Sequence, residues 1–275
     1  MIGDCIKYTL ASFILLFPIE GSAQNKLFLG PALLECRYLE QKEVDTVTHR
    51  MVPDTMVLQI GHHSSAFFSK DRVFVDSLWH TPNGFNKWIN LMRQYLNEGH
   101  YQDLLSNDGK YYYLDYPEAG KITVVTELNR KGVEYVEDRE PLAWEFRDSV
   151  KTVLGYECHL AEADFRGRHW SAWYTLEVPV SAGPWKLWGL PGLICEAYDD
   201  SHFFSYTLVS LTPDPNQDIV IYRWYKKYEQ TTRFQLFDAI SRNSELMKED
   251  ARQNGLSEMA REGHGPGHKE LDWKR

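Results

Sequence analysis

His169-Trp170-Ser171-Ala172-Trp173-Tyr174-Thr175-Leu176-Glu177-Val178 repeats with a period of two. Trp170, Ala172, Tyr174, Leu176 and Val178 fall on one side of an extended chain, and His169, Ser171, Trp173, Thr175 and Glu177 on the other. Successive side chains of a strand point to opposite faces, so this pattern predicts a strand with one buried and one wetter face, as in antiparallel sheets. The same alternation recurs at Ile122, Val124, Thr126 and Leu128, and at Leu142, Trp144 and Phe146. Further strands are predicted near 33–40, 55–62, 66–69, 110–116, 133–137, 153–163, 193–199 and 202–211. Turn sequences separate them, among them Asn107-Asp108-Gly109, Arg130-Lys131-Gly132, Arg166-Gly167-Arg168 and Asp199-Asp200-Ser201. Short strands at this spacing form a meander.

Two segments carry helical spacing. Phe85, Trp88, Ile89, Met92 and Leu96 make an amphipathic helix over 84–97, with Gly99 as a stop. Phe234, Phe237, Ile240 and Met247 make a second over 231–254, ended by Gly255. The expected fold is therefore mainly β (α+β): a strongly curved antiparallel sheet, in the form of an open half-barrel, covered by one or two helices. One β domain is expected over 24–222, followed by a C-terminal helix and flexible tail over 223–275.

The chain has 275 residues, of which 43% are hydrophobic, 25% charged and 14% aromatic. That is ordinary globular composition. Thirty basic against 39 acidic side chains give a net charge of -9, which disfavours a sequence-independent nucleic-acid binder. Residues 1–23 read as a signal peptide: Lys7, then an apolar run from Tyr8 to Ile19, then Gly21-Ser22-Ala23. The run is too short for a span that needs about 20 residues, and no later stretch is apolar enough for one. The expected location is the periplasm or outer envelope, or outside the cell. Export makes disulfides chemically accessible, and two of Cys36, Cys158 and Cys195 would pair; three buried free thiols are the alternative.

Gly189-Leu190-Pro191-Gly192-Leu193-Ile194 is a tight corner, in which Pro191 fixes φ and Gly192 supplies a positive φ. Leu190, Leu193 and Ile194 tuck beneath it. With Tyr156-Glu157-Cys158 and Arg166-Gly167-Arg168 ahead of it, this corner resembles the GLPGLI family of exported Gram-negative envelope proteins, which is named for the hexapeptide. The resemblance implies a mainly β envelope protein with no assigned activity or cofactor. The strand and helix order is also similar to that of lipoprotein-carrier half-barrels, an analogy of fold alone.

No H-E-x-x-H, G-x-S-x-G, Walker or dinucleotide motif occurs, so no catalytic residue, metal or cofactor is assigned. His264 and His268 flank Gly265-Pro266-Gly267, which forbids a shared helical face. Trp170, Trp173, Trp185 and Trp188 concentrate beside the corner. Core packing is their first reading; the functional one is an aromatic surface that binds a hydrophobic small molecule, a peptide or an envelope protein. The rival function is a hydrolase whose site draws on His169, Glu177 and Glu196 from separate strands.

Overall fold

The computed structural model describes residues 27–45, 47–98, 109–253 and 269–272. The leader at 1–23 and the His264/His268 pair lie outside the described residues. In chain order the strands are β1 (Leu27–Pro31), β2 (Leu34–Asp45), β3 (Arg50–Ile60), β4 (Ser65–Ser69), β5 (Tyr111–Leu114), β6 (Lys121–Leu128) and β7 (Lys131–Asp138). There follow β8 (Glu145–Val153), β9 (Tyr156–Phe165), β10 (Arg168–Thr175), β11 (Leu193–Asp199), β12 (Phe204–Pro213), β13 (Asp218–Ile221) and β14 (Tyr228–Gln230). The helices are α1 (Lys70–Trp79), α2 (Gly84–Glu98) and α3 (Arg233–Gln253).

Twelve strands make one sheet in the order β14-β7-β6-β5-β4-β3-β2-β12-β11-β10-β9-β8, while β1 and β13 pair separately. The sheet is two meanders, β2 to β7 and β8 to β12, fused where β2 lies antiparallel to β12. Only β14, against β7, runs parallel. The sheet curves without closing into a barrel. Register shifts in the ladders of β10 with β11, β12 with β2, β2 with β3, and β8 with β9 supply local twist. Two-residue hairpins sharpen the meander: Asn129-Arg130, Leu154-Gly155 and Arg166-Gly167 each hold two positive φ angles, the geometry that matches strand twist.

The alternation seen in the sequence sorts side chains into two cores. Met56, Leu58, Phe67, Tyr112, Leu114, Ile122 and Val124 join one cluster. Their neighbours Val57, Ala66, Phe68, Tyr111, Tyr113 and Val125 join another. The first face is covered by the 178–192 loop, through Trp185, Leu187 and Leu190, and by Leu236 of α3. The second is covered by Ile219 and Ile221 of β13, with Tyr222, Trp224 and Val73 packed alongside.

The burial of β10 corrects one expectation. Ser171, Trp173 and Thr175 were expected to face water, yet all three are buried, Thr175 completely. Strand β10 lies inside the sheet between β9 and β11, and along it only His169 stays partly exposed. The expected strand at 142–146 also shifts. Leu142 and Trp144 precede β8 and lean on the first core, and Phe146 within β8 is exposed. An extended approach segment reproduces the alternation without any ladder bonds. Helix α1 had no counterpart in the sequence reading, because Lys70-Asp71-Arg72 masks its short apolar face.

Among the described residues no disulfide forms: Cys36, Cys158 and Cys195 are free and buried. They sit on β2, β9 and β11, so β12 separates the first from the last and β10 separates the other two. Two strand spacings amount to about 9.5 Å, whereas bridged Cα atoms lie about 4.4–6.8 Å apart. Burial pushes the Cys36 thiol up to about 12, and Cys195, sharing a hydrogen bond with Cys158, is also raised.

Candidate functional site

The corner at 189–194 is a structural joint. Leu190, Leu193 and Ile194 are buried, and Ile194 donates its N–H to the Ala182 carbonyl at 2.9 Å. The Tyr38 hydroxyl donates to the Ile194 carbonyl at 2.8 Å, which ties β2 to the corner. The left-handed glycine is Gly189 (φ 97°), not Gly192 as the turn reading predicts. Gly192 is required for space instead: a Cβ there would lie 1.8 Å from the Thr175 carbonyl oxygen.

The tryptophans singled out from the sequence divide between core and corner. Trp170 and Trp185 are wholly buried, with ring centroids 5.5 Å apart, and Trp170 also stacks on Tyr206 at 6.5 Å. Trp173 is 9% exposed and lies beneath the Lys151 ammonium at 4.3 Å. Trp188 is half-buried under the Arg139 guanidinium at 4.1 Å, and its backbone carbonyl accepts from the Trp144 indole at 2.7 Å. Trp170, Trp173 and Trp185 fill space within the fold, while Trp188 stays half-buried at the corner.

The rival hydrolase set does not assemble. His169 bonds Asp164 at 2.7 Å, Glu196 pairs with Lys151 at 2.5 Å, and Glu177 accepts the Glu157 N–H at 3.0 Å. Glu196 lies opposite Trp173, four residues along β10 from His169, a separation of about 13 Å at ~3.3 Å per residue. Among the described residues, no group of three His, Cys, Asp or Glu side chains is placed to hold a metal.

An open site does exist, built by α1, α2, the β6–β7 turn and residues 222–228. Helix α1 starts where Ser69, its N-cap, accepts the Arg72 N–H at 3.0 Å. It ends at His80, and the chain re-enters helix at Gly84, where a Cβ would sit 2.3 Å from the Trp79 carbonyl oxygen. That close approach brings three rings together: Trp79 and Trp88 at 5.1 Å, Trp79 and Phe85 at 5.7 Å, Phe85 and Trp88 at 6.5 Å. Phe85 remains 57% and Trp79 39% exposed.

Opposite these rings lies a polar wall. Asp76 accepts from Arg72 at 2.9 Å and from the Tyr111 hydroxyl at 2.6 Å, and Arg72 also reaches Glu127 at 3.2 Å. The Trp224 indole donates to the Tyr111 oxygen at 3.0 Å, and His80 packs between Trp224 and Tyr225 at 5.4 and 5.7 Å. Burial raises the Asp76 carboxyl even against the Arg72 charge. Burial also raises Tyr225, which hydrogen-bonds Glu127. The cleft, of about 530 Å³, is lined by Arg72, Asp76, Trp79, Phe85, Trp88 and Glu127 among others. Its size suits a small ligand or a short peptide. The sequence reading placed Phe85 and Trp88 on an amphipathic face but assigned that face to the core. The pairing with α1 that turns it into a cleft wall depends on Gly84.

A family model described as a protein of unknown function (Porph_ging) matches residues 165–196, the stretch from the end of β9 through the hexapeptide. No curated protein matches. Two structures of PNGF-II, in P21 and C2 space groups, align over 77% of this chain and 33% of theirs, at 11% and 10% identity and TM-scores of 0.49 and 0.48. The present chain thus spans about a third of that protein's length. A DUF1329 family protein from Desulfovibrio piger aligns over 72% of this chain and 89% of its own, at 8% identity and a TM-score of 0.20.

Proposed function

We propose that this chain is an exported envelope protein of the GLPGLI type that binds a peptide in the cleft between α1 and α2. The observation that carries the reading is the juxtaposition of exposed Trp79 and Phe85 with the Arg72, Asp76 and Glu127 wall in one cleft. A peptide offers what both sides need: an apolar side chain for the rings, and amides or charges for the guanidinium and carboxylates. A purely apolar ligand would desolvate Arg72, Asp76 and Glu127 without giving them partners, at a cost that opposes binding. The doubly covered sheet serves as a rigid frame. Export rests on the leader at 1–23, and the proposal places the mature chain in the periplasm or outer envelope.

Two experiments test this reading. Fluorescein-labelled peptides carrying Phe, Trp or Leu anchors are titrated against the full chain and against Trp88→Ala, with anisotropy as the readout. Binding that weakens at least about tenfold in the variant supports the proposal. The absence of any binder tighter than about 1 mM, or binding indifferent to Trp88, refutes it. N-terminal sequencing of the protein recovered from a periplasmic fraction tests export. A chain beginning at Gln24 supports it, and a chain retaining Met1 refutes it.

A further inference from the structure

A second site, independent of the cleft, is already filled. Residues Lys269 to Asp272 lie against strands far removed in sequence. The Leu271 N–H donates to the Arg166 carbonyl at 2.8 Å, and Arg168 donates to the Lys269 carbonyl at 3.0 Å. The β9–β10 turn makes room for the segment, since a Cβ on Gly167 would stand 2.9 Å from that of Leu271.

The side chains alternate as on a strand. Glu270 is buried and contacts Lys186 at 2.5 Å, Arg233 at 2.8 Å and Arg166 at 3.8 Å. Asp272 reaches Arg233 at 2.6 Å and Arg166 at 3.5 Å. Leu271, between them, is 44% exposed. Lys269 pairs with Glu40 at 2.7 Å and donates to the Tyr206 hydroxyl.

Charge balance shows what the site is shaped to receive. Without the segment, three buried cations converge from three elements: Arg166 from the β9–β10 turn, Lys186 from the 178–192 loop and Arg233 from α3. The buried carboxylate facing them is Glu137 of β7, at 3.1, 2.5 and 3.5 Å respectively; the largely exposed Glu140 touches Arg166 at 3.5 Å. Cations packed this densely and short of counter-charge are costly to bury. Glu270 and Asp272 supply the missing negative charges at a spacing of two residues.

We propose that this is a receptor for an extended acidic-x-acidic peptide segment, and that Lys269–Asp272 is an internal ligand which a peptide of the same charge spacing displaces. Lys186, Arg166 and Arg233 read the two carboxylates, and Glu40 reads the preceding lysine. The site accepts a free acidic peptide only when the chain's own segment leaves it.

The test uses the full chain and a labelled peptide, His-Lys-Glu-Leu-Asp-Trp-Lys-Arg. The expected result is at least about tenfold tighter binding to the E270Q/D272N chain than to the native chain, because the amides weaken the internal competitor. A control peptide with Gln and Asn at the two acidic positions should not bind. Equal or absent binding, in a variant whose circular dichroism at the assay temperature matches that of the native chain, overturns the proposal. A second measurement needs no variant: hydrogen exchange of the native chain in millimolar peptide. Faster exchange confined to 269–272 supports displacement, and unchanged exchange overturns it.

Discussion

Gly189 and Gly192 are two glycines of one corner that are required for different reasons, and alanine at each should separate them. At Gly192 the added Cβ would meet the Thr175 carbonyl oxygen at 1.8 Å and its carbon at 2.7 Å. Ordinary contact begins near 3.4 Å, so β10 and the corner must separate by more than an ångström. Thr175 is fully buried and pairs with Leu193 in the ladder, so neither side gives easily. Overpacking of this kind costs about 1–3 kcal/mol or more, and a clash with backbone belongs at the upper end. At Gly189 the nearest atom to a Cβ is the Trp144 indole nitrogen at 3.5 Å, leaving only the positive φ of 97° to oppose alanine. That penalty is about 1–2 kcal/mol. At roughly 2–4 °C per kcal/mol for a chain of this size, Gly192→Ala should melt about 6–12 °C below the native protein and Gly189→Ala about 2–8 °C below. Differential scanning calorimetry on the three proteins measures both shifts. The assignment fails if Gly189→Ala is the more damaging, or if Gly192→Ala moves the midpoint by less than about 2 °C.

Three further outcomes are expected. Trp185→Ala should cost about 3–5 kcal/mol, whereas Trp88→Ala in the half-exposed cleft should cost under about 1 kcal/mol; similar losses in urea titrations would contradict the division into core and cleft. Burial opposes ionisation of Glu270, but Lys186, Arg233 and Arg166 outweigh it, and at Asp272 Arg233 and Arg166 likewise override burial, so both carboxyls titrate below their usual range. A depressed folded pKa gives stability that is present at neutral pH and lost as acid protonates the group, so the melting difference between the native chain and E270Q/D272N should shrink progressively as pH falls below about 4 and through the depressed folded range; a difference that stays constant into acid would count against this. Asp54 behaves oppositely: burial, with Glu40 and Asp71 nearby, lifts its carboxyl to about 7 despite the Ser69 hydrogen bond. The native state therefore holds an extra proton between about pH 4 and 7 and loses stability as pH rises through that window, so Asp54→Asn should be more stable than the native chain by roughly 1–3 kcal/mol at pH 8 and equal to it at pH 4; no gap at pH 8 would refute the assignment.

The curved antiparallel sheet was legible because period two is imposed by strand geometry itself, whatever covers the sheet. The strand over 193–199 coincides with β11, and the helix over 84–97 falls within a residue of α2. Alternation reports which residues share a face, however, and not whether that face is wet. At β10 it marked Ser171, Trp173 and Thr175 as exposed, although all three are buried in a strand flanked by β9 and β11. The cysteines show a related limit: parity placed them on apolar faces but carried no strand order, and in the order β2-β12-β11-β10-β9 no two of them lie on neighbouring strands, although the Cys158 and Cys195 thiols share a hydrogen bond.

The two sites escaped the sequence because each depends on contacts between distant segments. Arg166 and Lys186 are ordinary surface residues by composition, and only the fold shows that they converge on Glu270, 84 residues beyond Lys186, with no water to screen them. A buried cation is unstable without an acid beside it, so a strand turn or loop that delivers a fully buried lysine must find a carboxylate from elsewhere. In this chain Glu137 supplies one and the segment at 269–272 supplies the rest. The cleft follows the opposite logic. Phe85 and Trp88 have the spacing of a core face, and α2 would have buried them against the sheet had Gly84 not held it against the end of α1, beside Trp79. Trp170, Trp185 and Tyr206, by contrast, are fully packed. Trp79, Phe85 and Trp88 cluster while still partly in water, so together they mark a surface with apolar area left to bury, beside a polar wall that selects its occupant.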